Sequence, residues 1–340
     1  MRIAIVNDLP MAVEGLRRVV ERRGKHSIAW VAYNGEEAVR HCLTDVPDLM
    51  LLDMIMPGMN GVETTREVMK NSPCPILLVT SSVNKNSALV FEAMGHGALD
   101  AVNTPVLHGA SEETQQSLLR KISMLAILSR PNSPEVRDYY RSMGKRTPSL
   151  KNNKILAIGA SSGGPQALAT VLRDIPRDFA LPVVIVQHVD AHFASGLAEW
   201  LSTVSPLPVR LACEGDRPVG GTILLAGSDD HLVLQKDGTL GYSAEPVDIP
   251  YRPSVDVFWH SLDNFWQGEI IAVLLTGMGR DGAKSMLSLR QSGAFTIAQD
   301  RQSCAVYGMP KAAVELGAAV KVLPVESIMG EVLKNANKMV

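Results

Sequence analysis

The chain has 340 residues and a formal net charge of −2 with no block of one sign, which argues against a protein that binds nucleic acid or an anionic membrane. That length exceeds what one core usually serves, and neither a signal peptide nor a membrane-spanning apolar run is found, so we expect two domains in a cytoplasmic protein without direct membrane insertion. The four cysteines lack the spacing of a disulfide framework or zinc site, and we expect all four to be buried.

The first part of the chain alternates short apolar runs with helical patterns. Five of these runs predict buried strands: IAIV, IAWVAY, DLMLLD, PILLVT and ALDAV. Such repeats are typical of a doubly wound, flavodoxin-like α/β domain, whose ligand site lies at the carboxyl ends of its parallel strands. A last amphipathic helix is predicted over 117–128, and it completes a first domain at 1–128.

The remainder of the chain predicts a linker and a second α/β domain. The segment 129–153 has no apolar period and gathers Pro, Ser, Asn and basic residues, so we expect a linker there. Over 154–340, six apolar runs predict strands: KILAIG, PVVIVQH, PVRLA, TILLAG, IIAVLLTG and AFTIAQD. Asp237 and Gly238, flanked by alternating residues, indicate a β-hairpin. We therefore expect a mostly parallel, three-layer α/β domain with an antiparallel hairpin.

Two carboxylates are predicted to converge at the strand ends of the first domain. Asp8 follows the first strand and Asp53 ends the third, and these strands are neighbours in a doubly wound sheet. Paired carboxylates suit a hard divalent cation such as Mg²⁺, with a phosphate completing its coordination. Thr80 ends the fourth strand, where its hydroxyl is available to the same phosphate.

This arrangement, with the motif LLDMIMPGMNG, resembles the receiver domain of two-component response regulators. The resemblance implies that Asp53 accepts a phosphoryl group from a histidine kinase, and that Asp8, Asp53 and the Ile55 carbonyl bind Mg²⁺. Asn7 stands where receivers usually have a second acidic residue, and Thr104 where they have a lysine that pairs with the phosphoryl group. The lost carboxylate predicts weaker Mg²⁺ binding, and the lost lysine predicts a blunted response to phosphorylation. Alternatively, Asp53 merely caps a strand end in a degenerate receiver.

The stretch GASSG at 159–163 follows a buried strand and precedes a helical pattern. It lacks the lysine of a P-loop, and Ser161 stands where a dinucleotide fingerprint has its second glycine. It matches G-x-S-x-G, the turn that lifts a serine hydroxyl over the edge of a sheet, although a plain tight turn can have the same pattern. Ser161 is therefore a candidate nucleophile.

A base and a carboxylate are predicted at the same edge. His188 closes the next strand, His192 is a rival just past it, and Asp281 lies beyond a later buried strand. Each alone is more often structural, but their coincidence predicts a catalytic triad with Ser161, in a chain order unlike that of α/β-hydrolases. Met278 lies in a glycine-rich turn whose backbone amide is available to an oxyanion.

Five motifs resemble, in order and spacing, the catalytic domain of the chemotaxis-type protein-glutamate methylesterases, the CheB family: IGASSGGP, VQHVDAHFASGLAEWL, YRPSVDVFWHS, LLTGMGRDGA and AQDRQSCAVYGMP. With the receiver and linker, the resemblance covers the whole chain. It implies that Ser161 is the nucleophile, His188 the general base and then acid, Asp281 its orienting partner, and the Met278 amide part of the oxyanion hole. The receiver motifs VNDLP and DAVNTP are similar to the Wsp-type branch, whose members serve surface-sensing pathways.

The family resemblance implies a phosphorylation-regulated esterase that demethylates glutamate 5-methyl esters on the cytoplasmic helices of methyl-accepting chemoreceptors and deamidates receptor glutamines. The receiver would obstruct Ser161 until Asp53 is phosphorylated, and the ester chemistry needs no cofactor. Arg252 is a candidate guide for an acidic receptor helix, although Pro253 and Ser254 also indicate a helix start. Two alternatives remain open: an inert hydrolase domain that sequesters a kinase or receptor, and a hydrolase of small-molecule esters.

Overall fold

The computed structural model describes residues 1–22, 24–80, 87–104, several positions between 115 and 125, 153–249 and 251–337. The chain divides into two compact units, Met1–Pro131 and Asn132–Val340. The predicted linker, apart from residue 153, and half of the predicted helix over 117–128 lie outside the described residues. The boundaries at 128 and 154 stay predictions.

The first unit contains the five strands predicted from the sequence. They are β1 (Arg2–Val6), β2 (Ser27–Ala32), β3 (Leu49–Asp53), β4 (Ile76–Thr80) and β5 (Asp100–Asn103), and they form one parallel sheet in the order β2-β1-β3-β4-β5. The helices described here are α1 (Pro10–Glu21), α2 (Gly35–Thr44), α3 (Gly61–Asn71) and α4 (Ser87–Gly95). The doubly wound prediction is confirmed.

Local sequence explains where two of these helices begin. Asn34 caps α2 by accepting a hydrogen bond from the Glu37 amide. Asn60 caps α3 in a reciprocal capping box with Glu63. Strand β3 is buried at every position and pairs with both β1 and β4, which is the pattern expected of a central strand covered on both faces. The register therefore brings the residues that follow β1 next to the end of β3.

The second unit is built on a seven-stranded parallel sheet and a separate hairpin. The strands are β6 (Lys154–Ala160), β7 (Val183–Gln187), β8 (Val209–Leu211), β9 (Ile223–Leu225), β10 (His231–Leu234), β11 (Leu240–Ser243), β12 (Glu269–Leu274), β13 (Phe295–Gln299) and β14 (Lys321–Leu323). The large sheet has the order β14-β13-β12-β6-β7-β9-β8, and β10 pairs antiparallel with β11. The predicted hairpin is confirmed, with Gly238 at φ +82° in its turn.

Helices cover both faces of the large sheet. They are α5 (Gly164–Arg173), α6 (Ala191–Val204), α7 (Val255–Phe265), α8 (Ala283–Gln291), α9 (Met309–Glu315) and α10 (Val325–Ala336). Helix α5 packs with α6 and α10, whereas α8 packs with α7 and α9. The apolar side of α7, including Phe258 and Trp259, joins β6, β7 and β12 in one core. The predicted three-layer α/β architecture is confirmed.

The cysteine prediction is wrong in part. Cys42 and Cys74 are buried, but Cys213 is exposed and Cys304 is partly exposed. Cys213 follows β8 in a segment that forms neither helix nor strand, outside the packed elements of the core. Among the helices of the described ranges, none combines the length and apolar character needed to cross a membrane.

Candidate active site

Ser161 lies on the tight connection between β6 and α5. Its amide donates a hydrogen bond to the Thr276 carbonyl at 3.0 Å, and its carbonyl accepts one from the Gly164 amide at 2.7 Å. Gly163 adopts φ +74°, and a Cβ at that position would lie 2.5 Å from the Cβ of Ala305. The glycine therefore permits both the turn and the close approach of a neighbouring loop, and Ser161 is held at the positive end of α5.

His188 lies beside Ser161, at the end of the neighbouring strand. Strand β7 pairs in parallel with β6, and the His188 amide donates to the Ala160 carbonyl at 3.0 Å. The two residues thus occupy equivalent positions past strands about 4.8 Å apart. His188 Nε2 is 2.7 Å from Asp281 Oδ2, and Nδ1 is buried with no hydrogen-bond partner in the described part of the chain. Nδ1 is therefore the ring nitrogen available to a serine proton.

Asp281 lies between β12 and α8 and accepts four hydrogen bonds. The donors are His188 Nε2 at 2.7 Å, Ser254 Oγ at 2.8 Å, and the amides of Val255 and Asp256 at 2.6 and 3.1 Å. Three of them come from the start of α7, so the carboxylate also caps that helix. Burial alone would raise the pKa of Asp281, but the hydrogen bonds and the adjacent histidine hold this pKa below its usual range.

Polar side chains fix the two turns relative to each other. Gln187 donates through Nε2 to the carbonyls of both Ser161 and His188, at 2.8 and 3.0 Å. Thr276 donates through Oγ1 to the Ser162 carbonyl at 2.9 Å. Because Gln187 and Thr276 are buried, these bonds are shielded from competing water. Neither residue was predicted from the sequence, although each stands at or just past a strand end.

The turn that contains Met278 runs close to Ser161. A Cβ at Gly277 would lie 2.8 Å from the Cβ of Ser161, so only glycine permits this approach. Gly277 also forms an isolated bridge with Tyr307. Met278 follows directly, which places its backbone in the segment beside the serine.

Tyr251 is a further neighbour of His188 that the sequence analysis missed. Its ring stacks on the imidazole with centroids 4.5 Å apart and planes at 13°. Burial raises the pKa of the Tyr251 hydroxyl. The signal was present in the sequence, because this aromatic residue opens the YRPSVD motif directly before a predicted helix.

Two predicted residues lie apart from this cluster. The Arg252 Nη2 donates to the Val247 carbonyl at 3.0 Å, and no contact with the triad is observed for its side chain within the described ranges. The rival base His192 has a side chain 68% exposed, with Nδ1 2.8 Å from Asp190. It is His188, and not His192, that contacts Asp281.

A second cluster lies at the carboxyl ends of β1, β3 and β4 in the first unit. Asn7 Nδ2 donates to Asp53 Oδ2 at 3.0 Å, and the Met54 amide donates to Asp53 Oδ1 at 2.7 Å. Burial raises the pKa of Asp53 to about 6, and the charge of Asp8 acts in the same direction. The Thr80 hydroxyl is buried without a hydrogen-bond partner among the residues described.

The cluster around Asp53 has few of the carboxylates that a cation needs. The charge of Asp8 helps to raise the pKa of Asp53, and a bound cation would relieve that repulsion. The Asn7 side chain accepts the Leu9 amide through Oδ1 at 2.9 Å and donates to Asp53, so it adds no negative charge. The described residues contain no group of three or more His, Cys, Asp and Glu side chains that could hold a metal. The expected Mg²⁺ ligands, Asp8, Asp53 and the Ile55 carbonyl, therefore stay a prediction.

The sequence matches two family models, CheB methylesterase over residues 156–332 and the response regulator receiver domain over residues 3–110. It is 51% identical over 335 residues to "Protein-glutamate methylesterase/protein-glutamine glutaminase 1" of Pseudomonas fluorescens Pf-5, which covers 98% of this chain and 99% of the relative. "Protein-glutamate methylesterase/protein-glutamine glutaminase 3" of Pseudomonas aeruginosa PAO1 is 51% identical over 331 residues, 96% of this chain and 97% of the relative. The crystal structure of the Thermotoga maritima CheB methylesterase catalytic domain aligns at a TM-score of 0.51 with 34% identity, covering 54% of this chain and 98% of that one.

Proposed function

The chain belongs to the CheB methylesterase family, and we propose that it hydrolyses glutamate 5-methyl esters on the cytoplasmic helices of methyl-accepting chemoreceptors and deamidates receptor glutamines. The observation that carries the chemistry is the contact of His188 with a buried, fourfold hydrogen-bonded Asp281, next to the turn that bears Ser161. An ionised carboxylate behind a histidine beside a serine is the arrangement that acyl transfer requires.

In the proposed mechanism, Ser161 attacks the ester carbonyl while His188 takes the hydroxyl proton at Nδ1. Asp281 holds Nε2 and stabilises the imidazolium that forms. The tetrahedral intermediate collapses, the ester C–O bond breaks, and His188 returns the proton to the departing methanol. Water then attacks the acyl-enzyme, giving a proton to His188 and its hydroxyl to the acyl carbon. The bond between that carbon and Ser161 Oγ breaks, His188 returns the proton to Ser161, and glutamate is released. With glutamine the leaving group is ammonia.

The oxyanion of each tetrahedral intermediate would accept hydrogen bonds from the Met278 amide and the turn that follows Ser161. The close approach of Gly277 to Ser161 supports this role, because Met278 directly follows Gly277 in the chain. Such fixed donors favour the charge that develops in the transition state over the neutral ester. Arg252 remains our candidate for guiding an acidic receptor helix.

We further propose that the receiver domain regulates the hydrolase through phosphorylation of Asp53 by a histidine kinase in the cytoplasm. Thr80 supports the proposal, because its buried hydroxyl is available to a phosphoryl oxygen. Asp8, Asp53 and the Ile55 carbonyl would hold Mg²⁺, which would neutralise the charge of the incoming phosphate. The Wsp-type assignment, which concerns the pathway, stays a prediction.

The test is release of labelled methanol from receptor-containing membranes that the matching methyltransferase has methylated. Wild type is compared with Ser161→Ala, each with and without a phosphodonor and Mg²⁺. Release by wild type alone, increased by phosphodonor, supports both proposals. Serine-dependent release that ignores the phosphodonor contradicts the regulation. If verified methylated receptor gives no release, the binding-protein alternative is favoured, and turnover of soluble esters alone favours the small-molecule hydrolase.

A further inference from the structure

A chain of buried hydrogen bonds continues from Asp281 on the side away from His188. Ser254 Oγ donates to Asp281 Oδ1 at 2.8 Å, and the Ser254 amide donates to His231 Nδ1 at 3.2 Å. The other ring nitrogen of His231 is 3.2 Å from the Pro246 carbonyl. Ser254 and His231 are both 0% exposed, so water does not offer substitute partners.

The direction of each bond is fixed by chemistry. The Ser254 hydroxyl has one proton, which goes to Asp281, while its oxygen accepts the Val257 amide at 3.3 Å. A carbonyl can only accept and an amide only donate, so His231 must be neutral, with its proton on Nε2. His231 thus fixes the backbone of Ser254, and Ser254 in turn fixes one oxygen of Asp281.

The two oxygens of Asp281 depend on Ser254 to different degrees. Oδ2 receives the short bonds from Val255 and His188, at 2.6 and 2.7 Å. Without the Ser254 proton, Oδ1 would keep only the Asp256 amide at 3.1 Å. An Oδ1 atom left with one long hydrogen bond is costly in a buried site, which favours a rotation of the carboxylate that would move Oδ2 away from His188.

We propose that Ser254 is a positioning residue for the hydrolase reaction: its hydroxyl holds Asp281 so that Oδ2 stays directed at His188, and His231 holds Ser254. The inference rests on the proposed function. It differs from the simpler role of a helix cap, which needs only an oxygen that accepts the Val257 amide. The 2.8 Å donation to Asp281 is the shorter of the two bonds and is not needed for capping.

Variants of the full chain separate the two roles. Glycine at an N-cap costs only a few tenths of a kcal/mol relative to serine, yet it has no hydroxyl, so Ser254→Gly removes the donor and largely keeps the cap. Ser254→Ala removes both, and Ser254→Thr keeps both. Ser261→Ala is the matched control, because Ser261 is a buried serine on the same helix whose hydroxyl donates to the Phe258 carbonyl at 2.6 Å.

Each variant is measured for kcat and KM of methanol release from methylated receptor membranes, for the rate at which a fluorophosphonate labels Ser161, and for its melting temperature. We expect Ser254→Gly and Ser254→Ala to lose about 10- to 100-fold in kcat and in labelling rate, with KM changed by less than about twofold. Ser254→Thr should recover most of the rate, and Ser261→Ala should keep it. The downfield proton resonance of His188 Nε2 should shift in Ser254→Gly and not in Ser261→Ala.

The inference is overturned if Ser254→Gly keeps kcat and labelling within about twofold of wild type, or if Ser261→Ala loses them equally. Labelling is independent of the receptor substrate. If wild type is labelled at Ser161 faster than the Ser254→Gly variant but releases no methanol, the positioning role stands and the proposed substrate is wrong. If wild type neither labels nor releases methanol, both proposals are overturned.

Discussion

Both units have reactive side chains at the carboxyl edge of a parallel sheet. The two sets of side chains differ in the hydrogen-bond partners that surround them. In the second unit, four donors hold the pKa of Asp281 below its usual range. In the first, burial raises the pKa of Asp53 to about 6, and the nearby Thr80 hydroxyl has no partner among the described residues. In the second unit the carboxylate is already held by fixed donors, whereas in the first unit a polar atom stays unmatched where a phosphoryl group would enter.

The same principle distinguishes atoms within the second unit. His188 Nε2 is bound to Asp281, whereas Nδ1 is buried and unpaired within the described ranges. The unmatched atom is the one at which the proposed mechanism transfers a proton. At each of these two edges, one unpaired buried polar atom therefore lies where the proposed chemistry takes place.

The largest effect is expected from removing the charge of Asp281 in the second unit. Asp281→Asn removes the negative charge that stabilises the imidazolium, and kcat for methanol release should fall about 10³- to 10⁴-fold. Asp263→Asn is the control, since Asp263 is also a buried carboxylate of this unit and accepts a hydrogen bond from Ser288 at 2.7 Å. Equal losses in the two variants would contradict the special role of Asp281.

A smaller effect is expected when the first unit loses its proposed phosphoryl acceptor, Asp53. Asp53→Asn should abolish incorporation of labelled phosphate and the stimulation of methanol release by phosphodonor, a coupling of about 5- to 100-fold, while unstimulated release is retained. Asp48→Asn is the control, because Asp48 accepts the Arg2 amide at 2.7 Å at the opposite end of β3. Stimulation that survives in Asp53→Asn would contradict the assignment.

A third effect is expected when a negative charge is added beside Asp53. Asn7→Asp replaces an amide that donates to Asp53 with a third carboxylate, and Mg²⁺ should bind about tenfold more tightly by calorimetry. Asn34→Asp adds the same charge at the α2 cap, where aspartate is equally suitable, and should leave Mg²⁺ affinity unchanged. Unchanged affinity in Asn7→Asp would show that the cation does not lie near residue 7.

The smallest effect concerns the unmatched hydroxyl itself. Thr80→Val removes a buried polar group without a partner, so the free energy of unfolding should rise by about 1 kcal/mol. Thr65→Val removes a buried hydroxyl that donates to the Gly61 carbonyl at 2.7 Å, and it should lower that free energy by about 1 kcal/mol. Hydrogen exchange of the β3 and β4 amides in the full chain measures both, and shifts of the same sign would contradict the interpretation.

The sequence was sufficient for the elements that carry these residues. Buried runs of β-branched and aliphatic residues predicted both sheets, and Asp237-Gly238 predicted the hairpin, because both signals are local. The same patterns located Ser161, His188 and Asp281 past strand ends, and parallel pairing then implied that they share an edge.

Contacts between distant segments could not be predicted in this way. A helix start at Ser254 was indicated, but nothing local specifies that its first turn faces the carboxylate of Asp281. The stacking of Tyr251 on His188 and the bond from Asn7 to Asp53 have the same origin in tertiary packing. The cysteine error has it too, because the exposure of Cys213 depends on which loops cover it.

The separation of His188 and Asp281 along the chain also determines how long after His188 the ribosome makes Asp281. They are 93 residues apart in sequence, and β12 must add to β6 before they can meet. At a synthesis rate of about 5 to 20 residues per second, roughly 5 to 20 s pass between their translation. A nascent chain therefore carries Ser161 and His188 well before Asp281 is made, and the proposed triad would form only after most of the second unit has left the ribosome.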